Sequence, residues 1–217
     1  MFRDRKDGGQ QLGRALEKYR YKNVLVLGIP RGGVETAYYV ARHLHAELSV
    51  IVTRKLGFPS HPETAFGAIA EDGSVFLFDT VTEMLSEKNI QSVVERELEE
   101  TRRRIQTFRG GQPLPSMKGR TVILVDDGIA TGATVFASIR LCKNRGAKKI
   151  IVATPVAGGS MISKLKTKVD EVLVLYAPDD YYAVSQAYLS FSDLEDNEVM
   201  EILKHYQAER STSNVIY

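Results

Sequence analysis

The chain has 217 residues, of which 43% are hydrophobic and 26% charged, and this length and composition fit one globular domain and exclude a disordered protein. Its 29 Lys and Arg are nearly matched by 27 Asp and Glu, and this balance argues against a protein whose main partner is a nucleic-acid backbone. The one cysteine, Cys142, excludes an internal disulfide framework and a multi-cysteine zinc site, and we expect it to be a small core residue.

Neither a targeting segment nor a membrane span is predicted. The N-terminus is charged from Arg3 onward and has no apolar core behind it. The longest charge-free stretch with apolar character, residues 150–163, contains a proline and two glycines, and it is too short and too polar to cross a bilayer. We therefore expect a cytoplasmic protein without membrane contact.

Short apolar runs alternate with helical stretches along most of the chain. The runs, which are apolar in nearly every position, cover residues 24–27, 48–53, 121–126, 149–154 and 171–176. Such runs are typical of parallel strands that helices cover on both faces. Helices are predicted over residues 35–45 and 133–145, with Gly146 as a C-cap. The alternation predicts an α/β fold with a doubly wound, mainly parallel five-stranded sheet.

The middle of the chain interrupts this alternation. Residues 54–63 contain glycine, serine and two prolines, a composition that predicts a loop. Two strand-like runs, 65–70 and 74–78, flank Asp72-Gly73 and predict a hairpin. One long charged helix is predicted over residues 81–108, supported by pairs of opposite charge four residues apart.

The strongest chemical signal lies at residues 122–134. Four aliphatic residues predict a buried strand, and Asp126 and Asp127 follow at its carboxyl end, where ligands bind in open α/β sheets. The Thr-Gly-Ala-Thr sequence of residues 131–134 then opens a helix, whose free N–H groups and hydroxyls form a cradle for an anion. Carboxylates would repel a bare phosphate, but they accept hydrogen bonds from sugar hydroxyls or face a divalent metal. The layout indicates a phosphorylated sugar, the alternative being an ordinary capped turn.

This segment closely resembles the phosphoribosyl-diphosphate motif of type I phosphoribosyltransferases, in which four hydrophobic residues, two acids and a few variable residues precede Thr-Gly-x-Thr. The resemblance implies that Asp126 and Asp127 bind the ribose hydroxyls and take part in catalysis. It also implies that the residues after them bind the 5-phosphate, namely Gly128, Ile129, Ala130, Thr131, Gly132, Ala133 and Thr134. Mg2+ is the implied cofactor, held mainly by donor oxygens and water, with Asp126 and Asp127 as its candidate protein ligands.

Two cationic segments are candidates for binding the pyrophosphate. Arg31-Gly32-Gly33 follows the first strand, and in this fold class that loop binds the pyrophosphate of the donor; a plain tight turn is the alternative. Arg54, Lys55 and His61 lie in the next predicted loop, a flexible lid that could close over a diphosphate and exclude water. Lys55 and His61 are candidate catalytic residues, although His61 is also explained as an ordinary loop histidine. Arg109-Gly110-Gly111 is either a third phosphate contact or a helix C-cap.

The acceptor is less well defined by the sequence. Ala130 stands where the family's 6-oxopurine enzymes usually carry an aspartate, which argues against hypoxanthine or guanine as the substrate. Tyr176, Tyr181 and Tyr182 follow the last strand and could stack on a flat acceptor ring, but packing against the sheet edge explains them equally well. The resemblance supplies no acceptor beyond a nitrogen nucleophile similar to a nucleobase.

Nearly the whole chain is similar to the uncharacterised predicted phosphoribosyltransferase family. The matching motifs run from Phe-x-Asp-Arg at the N-terminus, through Pro-Arg-Gly-Gly-Val and Val-Asp-Asp-Gly-x-Ala-Thr-Gly-Ala-Thr, to a C-terminal pattern that ends at Val199. We predict one domain over residues 1–217, with a core at about 20–176 and with the N-terminal helix and residues 177–210 as a small hood. Residues 211–217 are predicted to be a tail. The wider class is often dimeric, which implies a homodimer.

The sequence thus predicts a phosphoribosyltransferase that takes 5-phosphoribosyl diphosphate, Mg2+ and a nitrogen acceptor and releases pyrophosphate. One alternative is a regulator that senses 5-phosphoribosyl diphosphate and binds nucleic acid or a protein partner. A second is a degenerate fold that binds a partner without chemistry, and the intact acids and the Thr-Gly-Ala-Thr turn argue against it.

Overall fold

A parallel sheet forms the centre of the protein, and a smaller antiparallel sheet accompanies it. The computed structural model describes residues 1–213, except for the side chains of Thr82 and Ser213. The strands are β1 (Val24–Gly28), β2 (Glu47–Val50), β3 (Thr53–Phe58), β4 (His61–Ala70), β5 (Val75–Leu77), β6 (Thr121–Val125), β7 (Lys149–Val156) and β8 (Glu171–Tyr176). The helices are α1 (Arg5–Ala15), α2 (Gly32–Leu44), α3 (Val81–Met84), α4 (Glu87–Arg109), α5 (Ala133–Asn144), α6 (Gly159–Lys166) and α7 (Asp196–Ser213).

The central sheet has the strand order β2-β1-β6-β7-β8, and all neighbouring strands are parallel. Successive side chains of β1 and β6 enter different cores, because strand side chains alternate between the two faces of a sheet. Leu25 and Leu124 pack on the face covered by α5, whereas Val26 and Ile123 pack on the face covered by α1 and α2. The predicted α/β fold with a mainly parallel five-stranded sheet is confirmed.

The predicted loop at residues 54–63 is wrong, because most of this segment is β structure. β3 and β4 form an antiparallel hairpin that turns at Pro59-Ser60, and the pairing starts at Thr53 and Ala70. Leu56 on β3 and Phe66 on β4 are buried against α4. Their burial fixes the strand pairing, although the local composition predicts a loop. The hairpin predicted around Asp72-Gly73 is present as the β4–β5 connection.

The predicted helix over residues 81–108 is divided in two. Leu85 is extended, and the Ser86 hydroxyl accepts a hydrogen bond from the Asn89 N–H, so Ser86 caps the start of α4. At the other end, Gly110 has a φ of +58° and caps the helix. The Arg109 guanidinium forms a buried ion pair with Glu71 and donates to the Val50 carbonyl, so the structure favours the C-cap over a phosphate contact.

The N-terminal residues and residues 187–190 lie together near the carboxyl edge of the sheet. The backbone of Phe2 pairs with Ala187 and Leu189, where the sequence predicts a hood. Helix α7 extends through residues 211–213 of the predicted tail, and residues 214–217 lie outside the described residues. No described helix is both long and apolar enough to cross a membrane. Cys142 is fully buried in the core under α5, as predicted.

Candidate active site

The two glycine-containing segments singled out in the sequence meet at one edge of the central sheet. β1 and β6 are parallel neighbours, so the loops at their carboxyl ends are adjacent. The Ile29 N–H donates to the Val125 carbonyl over 2.9 Å, which ties the first loop to the end of β6. A Cβ atom on Gly32 would overlap the Asp127 carboxylate, so only glycine fits at the start of α2. The Arg31-Gly32-Gly33 loop is therefore in contact with the paired acids.

The two acids have different partners. The Asp127 Oδ2 atom accepts a hydrogen bond from the Arg5 Nε over 2.7 Å, and the Asp127 side chain is almost buried. The Asp126 Oδ1 atom accepts from the Asp127 N–H over 2.9 Å. Burial and then the charge of Asp127 raise the pKa of Asp126 well above its usual value of 3.8, while the Lys55 ammonium acts in the opposite direction. A bound cation or a hydroxyl donor would therefore stabilise the charged form of the Asp126 carboxylate.

The turn before α5 has the features of an anion site. Gly132, at its N-cap, has a φ of +75°, and a Cβ atom there would lie 2.7 Å from the Met161 Sδ. No side chain caps this helix start, so the N–H groups of its first turn are free of side-chain partners. Thr131 is exposed beside them, and its hydroxyl has no hydrogen bond to another described residue. Free N–H groups and the helix dipole favour a phosphate at this position.

The cationic candidates are only partly brought together. Arg31 lies at the N-terminus of α2 and forms long ion pairs with Asp196 at 3.7 Å and Glu195 at 3.9 Å. Pairs of this length and exposure are weak, so they leave the Arg31 guanidinium available to an anion. Lys55 is exposed on β3, close enough for its charge to act on Asp126. Arg31 and Lys55 are thus the two predicted cations near the acids.

Arg54 and His61 do not join this group. The Arg54 Nε donates to Glu97 on α4 over 2.9 Å, so α4 holds this side chain. His61 lies at the turn of the β3–β4 hairpin, and its Nδ1 atom is 3.0 Å from the Ser60 hydroxyl. The β4 partner of Lys55 is Ala68, and at about 3.3 Å per residue that places His61 roughly 20 Å along the strand. The hairpin pairing thus places His61 away from the acids in this structure, and its catalytic role stays a prediction.

One of the three predicted acceptor tyrosines reaches the acids. The Tyr181 hydroxyl lies against Gly128 and is buried without a hydrogen-bond partner. Burial and the nearby charges of Asp127 and Asp126 raise the pKa of Tyr181 above its usual value. Tyr176 and Tyr182 are instead exposed, at 44% and 81%. Of the three, Tyr181 is the residue whose hydroxyl lies beside the acid pair.

Sequence reasoning missed the contacts that Arg5 and Tyr188 make with Asp127. Arg5 binds its carboxylate, and the Tyr188 hydroxyl donates to its carbonyl over 2.5 Å. Arg5 and Asp127 are 122 positions apart, and no local pattern pairs residues at that separation. The only available signal was the Phe-x-Asp-Arg motif at the N-terminus, which carried no assigned role.

A metal ion at this site would take most of its coordinating atoms from a bound substrate and from water. Among the described residues, no group of three or more His, Cys, Asp or Glu could hold a metal ion. Two adjacent carboxylates fit a hard cation that keeps water and phosphate oxygens as its other ligands, which is how proteins usually bind Mg2+. Asp126, whose charge is uncompensated by any described ion pair, is the residue that fits such a cation best.

A parallel α/β sheet with paired acids, an anion turn and a second cationic helix start at one edge is typical of domains that bind phosphorylated sugars. The sequence matches the phosphoribosyl transferase domain family over residues 10–191, and the chain belongs to this family. The predicted family is thereby confirmed.

Individual relatives agree with this assignment. A Mycobacterium tuberculosis protein provisionally named a phosphoribosyl transferase is 42% identical over 205 residues, which are 94% of this chain and 46% of that protein. The chain therefore spans about half the length of the curated relatives it matches. A crystal structure of a Thermus thermophilus protein superimposes with a TM-score of 0.80 at 38% identity, covering 94% of this chain and 98% of that chain. A uracil phosphoribosyltransferase from Aeropyrum pernix is 29% identical over 126 residues, 51% of this chain and 58% of that enzyme.

Proposed function

We propose that the protein binds 5-phosphoribosyl diphosphate with Mg2+ and transfers the ribosyl 5-phosphate to a nitrogen nucleophile, releasing pyrophosphate. The observation that carries this proposal is the contact between the Arg31-Gly32-Gly33 loop and the Asp126-Asp127 pair, next to the uncapped helix start at Gly132. These three features match the three polar parts of the donor, which are its pyrophosphate, its ribose hydroxyls and its 5-phosphate. Membership of the phosphoribosyl transferase domain family supports the same ligand.

Each part of the donor has its own group of residues. The 5-phosphate binds to the N–H groups and hydroxyls of residues 131–134, where the dipole of α5 favours negative charge. Asp126 and Asp127 accept hydrogen bonds from the ribose hydroxyls. The pyrophosphate binds between the start of α2, with Arg31, and the Lys55 ammonium.

The reaction breaks the bond between C1 of the ribose and the pyrophosphate oxygen and forms a bond between C1 and the acceptor nitrogen. C1 becomes cationic on the way, so the protein contributes mainly charge stabilisation and positioning. Arg31 and Lys55 offset the negative charge that grows on the departing pyrophosphate, and the acids lie on the side of the ribose. Mg2+, when bound, neutralises the pyrophosphate further.

The acceptor binds beside Gly128, where the Tyr181 hydroxyl is buried without a partner. An unpaired buried hydroxyl is costly, and a polar group on a flat acceptor would satisfy it. Ala130 offers no carboxylate for a 6-oxopurine, so we propose a different nitrogen ring. A cytoplasmic location and a homodimer stay predictions.

The test is calorimetric titration of 5-phosphoribosyl diphosphate with Mg2+ into the wild type and the Asp126→Asn/Asp127→Asn variant. The variant should lose donor binding by about 100-fold or more, since two charged hydrogen-bond acceptors are removed. A matched control is Glu83→Gln/Glu99→Gln, which removes the same charge from exposed positions on α3 and α4.

Absence of binding by the wild type, or equal binding by the acid variant, would refute the proposal. If the donor binds, bases and amines are screened for pyrophosphate release. Donor binding without release by any acceptor, together with nucleic-acid binding that responds to the donor, would instead favour the regulator.

A further inference from the structure

The N-terminal residues and a segment before α7 are joined into one layer beside Asp127. The Phe2 N–H donates to the Ala187 carbonyl over 2.8 Å, and the Leu189 N–H donates to the Phe2 carbonyl over 2.9 Å. The Ser190 N–H donates to the Arg3 carbonyl over 2.8 Å. We call residues 2–5 and 187–192 the terminal clamp. Its two halves hold each other through backbone hydrogen bonds that do not depend on side-chain identity.

Arg5 projects from this clamp onto Asp127 and is fixed on several sides. Its side chain is 6% exposed, and its Nε donates to the Asp127 Oδ2 over 2.7 Å. Its Nη1 donates to the Ser192 carbonyl over 2.7 Å, and its guanidinium lies 4.0 Å from the centre of the Phe191 ring. A planar guanidinium held by two hydrogen bonds and a ring face has little freedom to rotate.

The other half of the clamp holds the backbone of the same residue. The Tyr188 hydroxyl donates to the Asp127 carbonyl over 2.5 Å, and the Tyr188 ring packs against Phe2 at 5.7 Å between ring centres. Asp127 is thus held at its carboxylate by the N-terminal half and at its carbonyl by the C-terminal half. Its orientation is fixed from outside the strand–turn–helix motif to which it belongs.

Stability alone is a weak reason for a buried ion pair at this place. Removing two charges from water costs about as much as their attraction returns, and a well-packed apolar pair is often at least as stable. The pair instead determines which carboxylate oxygen is engaged: Oδ2 is bound by Arg5, which leaves Oδ1 to accept a hydrogen bond from a ligand. A functional side chain held by a second layer of contacts keeps its productive geometry.

We propose that Arg5 is a positioning residue that orients Asp127 for the ribose of the donor, so that ribose binding depends on the terminal clamp. The inference rests on the proposed function, because the ribose is part of the proposed donor. Arg5 acts through Asp127 and does not itself touch the substrate. The pyrophosphate part of the donor, which binds at Arg31 and Lys55, does not depend on this contact.

The test compares Arg5→Gln, Arg5→Lys and the control Arg3→Gln by calorimetry with two probes, 5-phosphoribosyl diphosphate with Mg2+ and inorganic pyrophosphate with Mg2+. Arg5→Gln should weaken donor binding by about 10- to 100-fold, because misplacement of a binding group by about 1 Å has effects of this size. Its affinity for pyrophosphate should stay within about twofold. Arg5→Lys keeps the charge but not the two-point contact and should fall between Arg5→Gln and the wild type. Arg3, whose side chain is 76% exposed, should be replaceable without effect.

A second measurement does not use the donor. Urea unfolding of Arg5→Gln, Asp127→Asn and the double variant should show coupling of about 10-fold in the unfolding equilibrium constant, as expected for residues in direct contact. Additive effects would overturn the proposal, because Arg5 would then not act through Asp127.

The outcomes separate the two hypotheses. Equal donor affinity in the wild type and Arg5→Gln overturns the positioning role and leaves the proposed function intact. An equal loss of donor and pyrophosphate affinity also overturns it, since it indicates a general structural defect. Absence of donor binding by the wild type overturns both.

Discussion

At the scale of single residues, Asp126 and Asp127 are neighbours with opposite electrostatic surroundings. Asp127 faces the Arg5 guanidinium at 2.7 Å, whereas no described ion pair compensates Asp126. Burial and the Asp127 charge raise the pKa of Asp126, so the folded protein holds this proton more tightly than the unfolded chain. The stabilising effect of the protonated carboxyl is present below the usual pKa of 3.8 and is lost as the pH rises from there towards the raised pKa.

Asp126→Asn should therefore stabilise the fold at neutral pH. The amide oxygen can still accept the Asp127 N–H, but the partly buried charge and its repulsion with Asp127 are removed. We expect the free energy of unfolding to be higher than that of the wild type at neutral pH and the gain to vanish below the usual pKa of 3.8. Urea unfolding at both pH values checks this, with the exposed Asp179→Asn as control. A variant less stable than the wild type at neutral pH would contradict it.

At the scale of elements, the start of α2 is constrained by its neighbour rather than by helix propensity. Alanine is the better helix former, yet a Cβ atom on Gly32 would overlap the Asp127 carboxylate and lie 2.7 Å from the Arg5 Nε. The clash acts on the ion pair that orients Asp127. The local preference of the helix and the requirement of the site therefore oppose each other at this residue.

Gly32→Ala should lower the free energy of unfolding by about 1–3 kcal/mol, the usual cost of overpacking, and should weaken donor binding. Gly159→Ala is the matched control, because Gly159 also begins a helix and a Cβ atom there would meet nothing within 4 Å. Its free energy of unfolding should stay within about 0.5 kcal/mol of the wild type. Urea unfolding and calorimetry measure both effects, and equal behaviour of the two variants would disprove the predicted clash.

The elements that sequence patterns predict best are those with one dominant local signal. β1 and β6 are uninterrupted apolar runs, and the acid pair with its Thr-Gly turn lies within one short segment. The β3–β4 hairpin was missed because its prolines and glycine indicate a loop, while its strand pairing and the burial of Leu56 are decided by distant residues. The Arg5 contact was missed for the same reason, since Arg5 and Asp127 lie 122 positions apart in the sequence.

At the scale of the whole molecule, residues 53–109 form one excursion from the central sheet, between β2 and β6. A buried ion pair closes it: the Arg109 guanidinium binds Glu71 and donates to the Val50 carbonyl over 3.1 Å. Glu71 in turn accepts the Val52 N–H over 2.9 Å. The start and the end of the excursion are thus tied to each other.

Arg109→Met should lower the free energy of unfolding by about 3 kcal/mol, because it leaves the Glu71 carboxylate buried without its cation. Chemical denaturation measures this, and the exposed Arg102→Met on the same helix should change the free energy by less than about 0.5 kcal/mol. Similar losses in the two variants would show that the ion pair does not hold the excursion closed.

A segment whose two ends are in contact can be replaced as one unit. Two crossovers, one before Thr53 and one after Arg109, would replace residues 53–109 while leaving the register of β1 against β6 unchanged. The excursion contributes Lys55 to the edge of the site, whereas the paired acids and the starts of α2 and α5 follow strands of the central sheet. Exchanging the excursion would therefore alter the Lys55 side of the site and leave the paired acids and both helix starts in place.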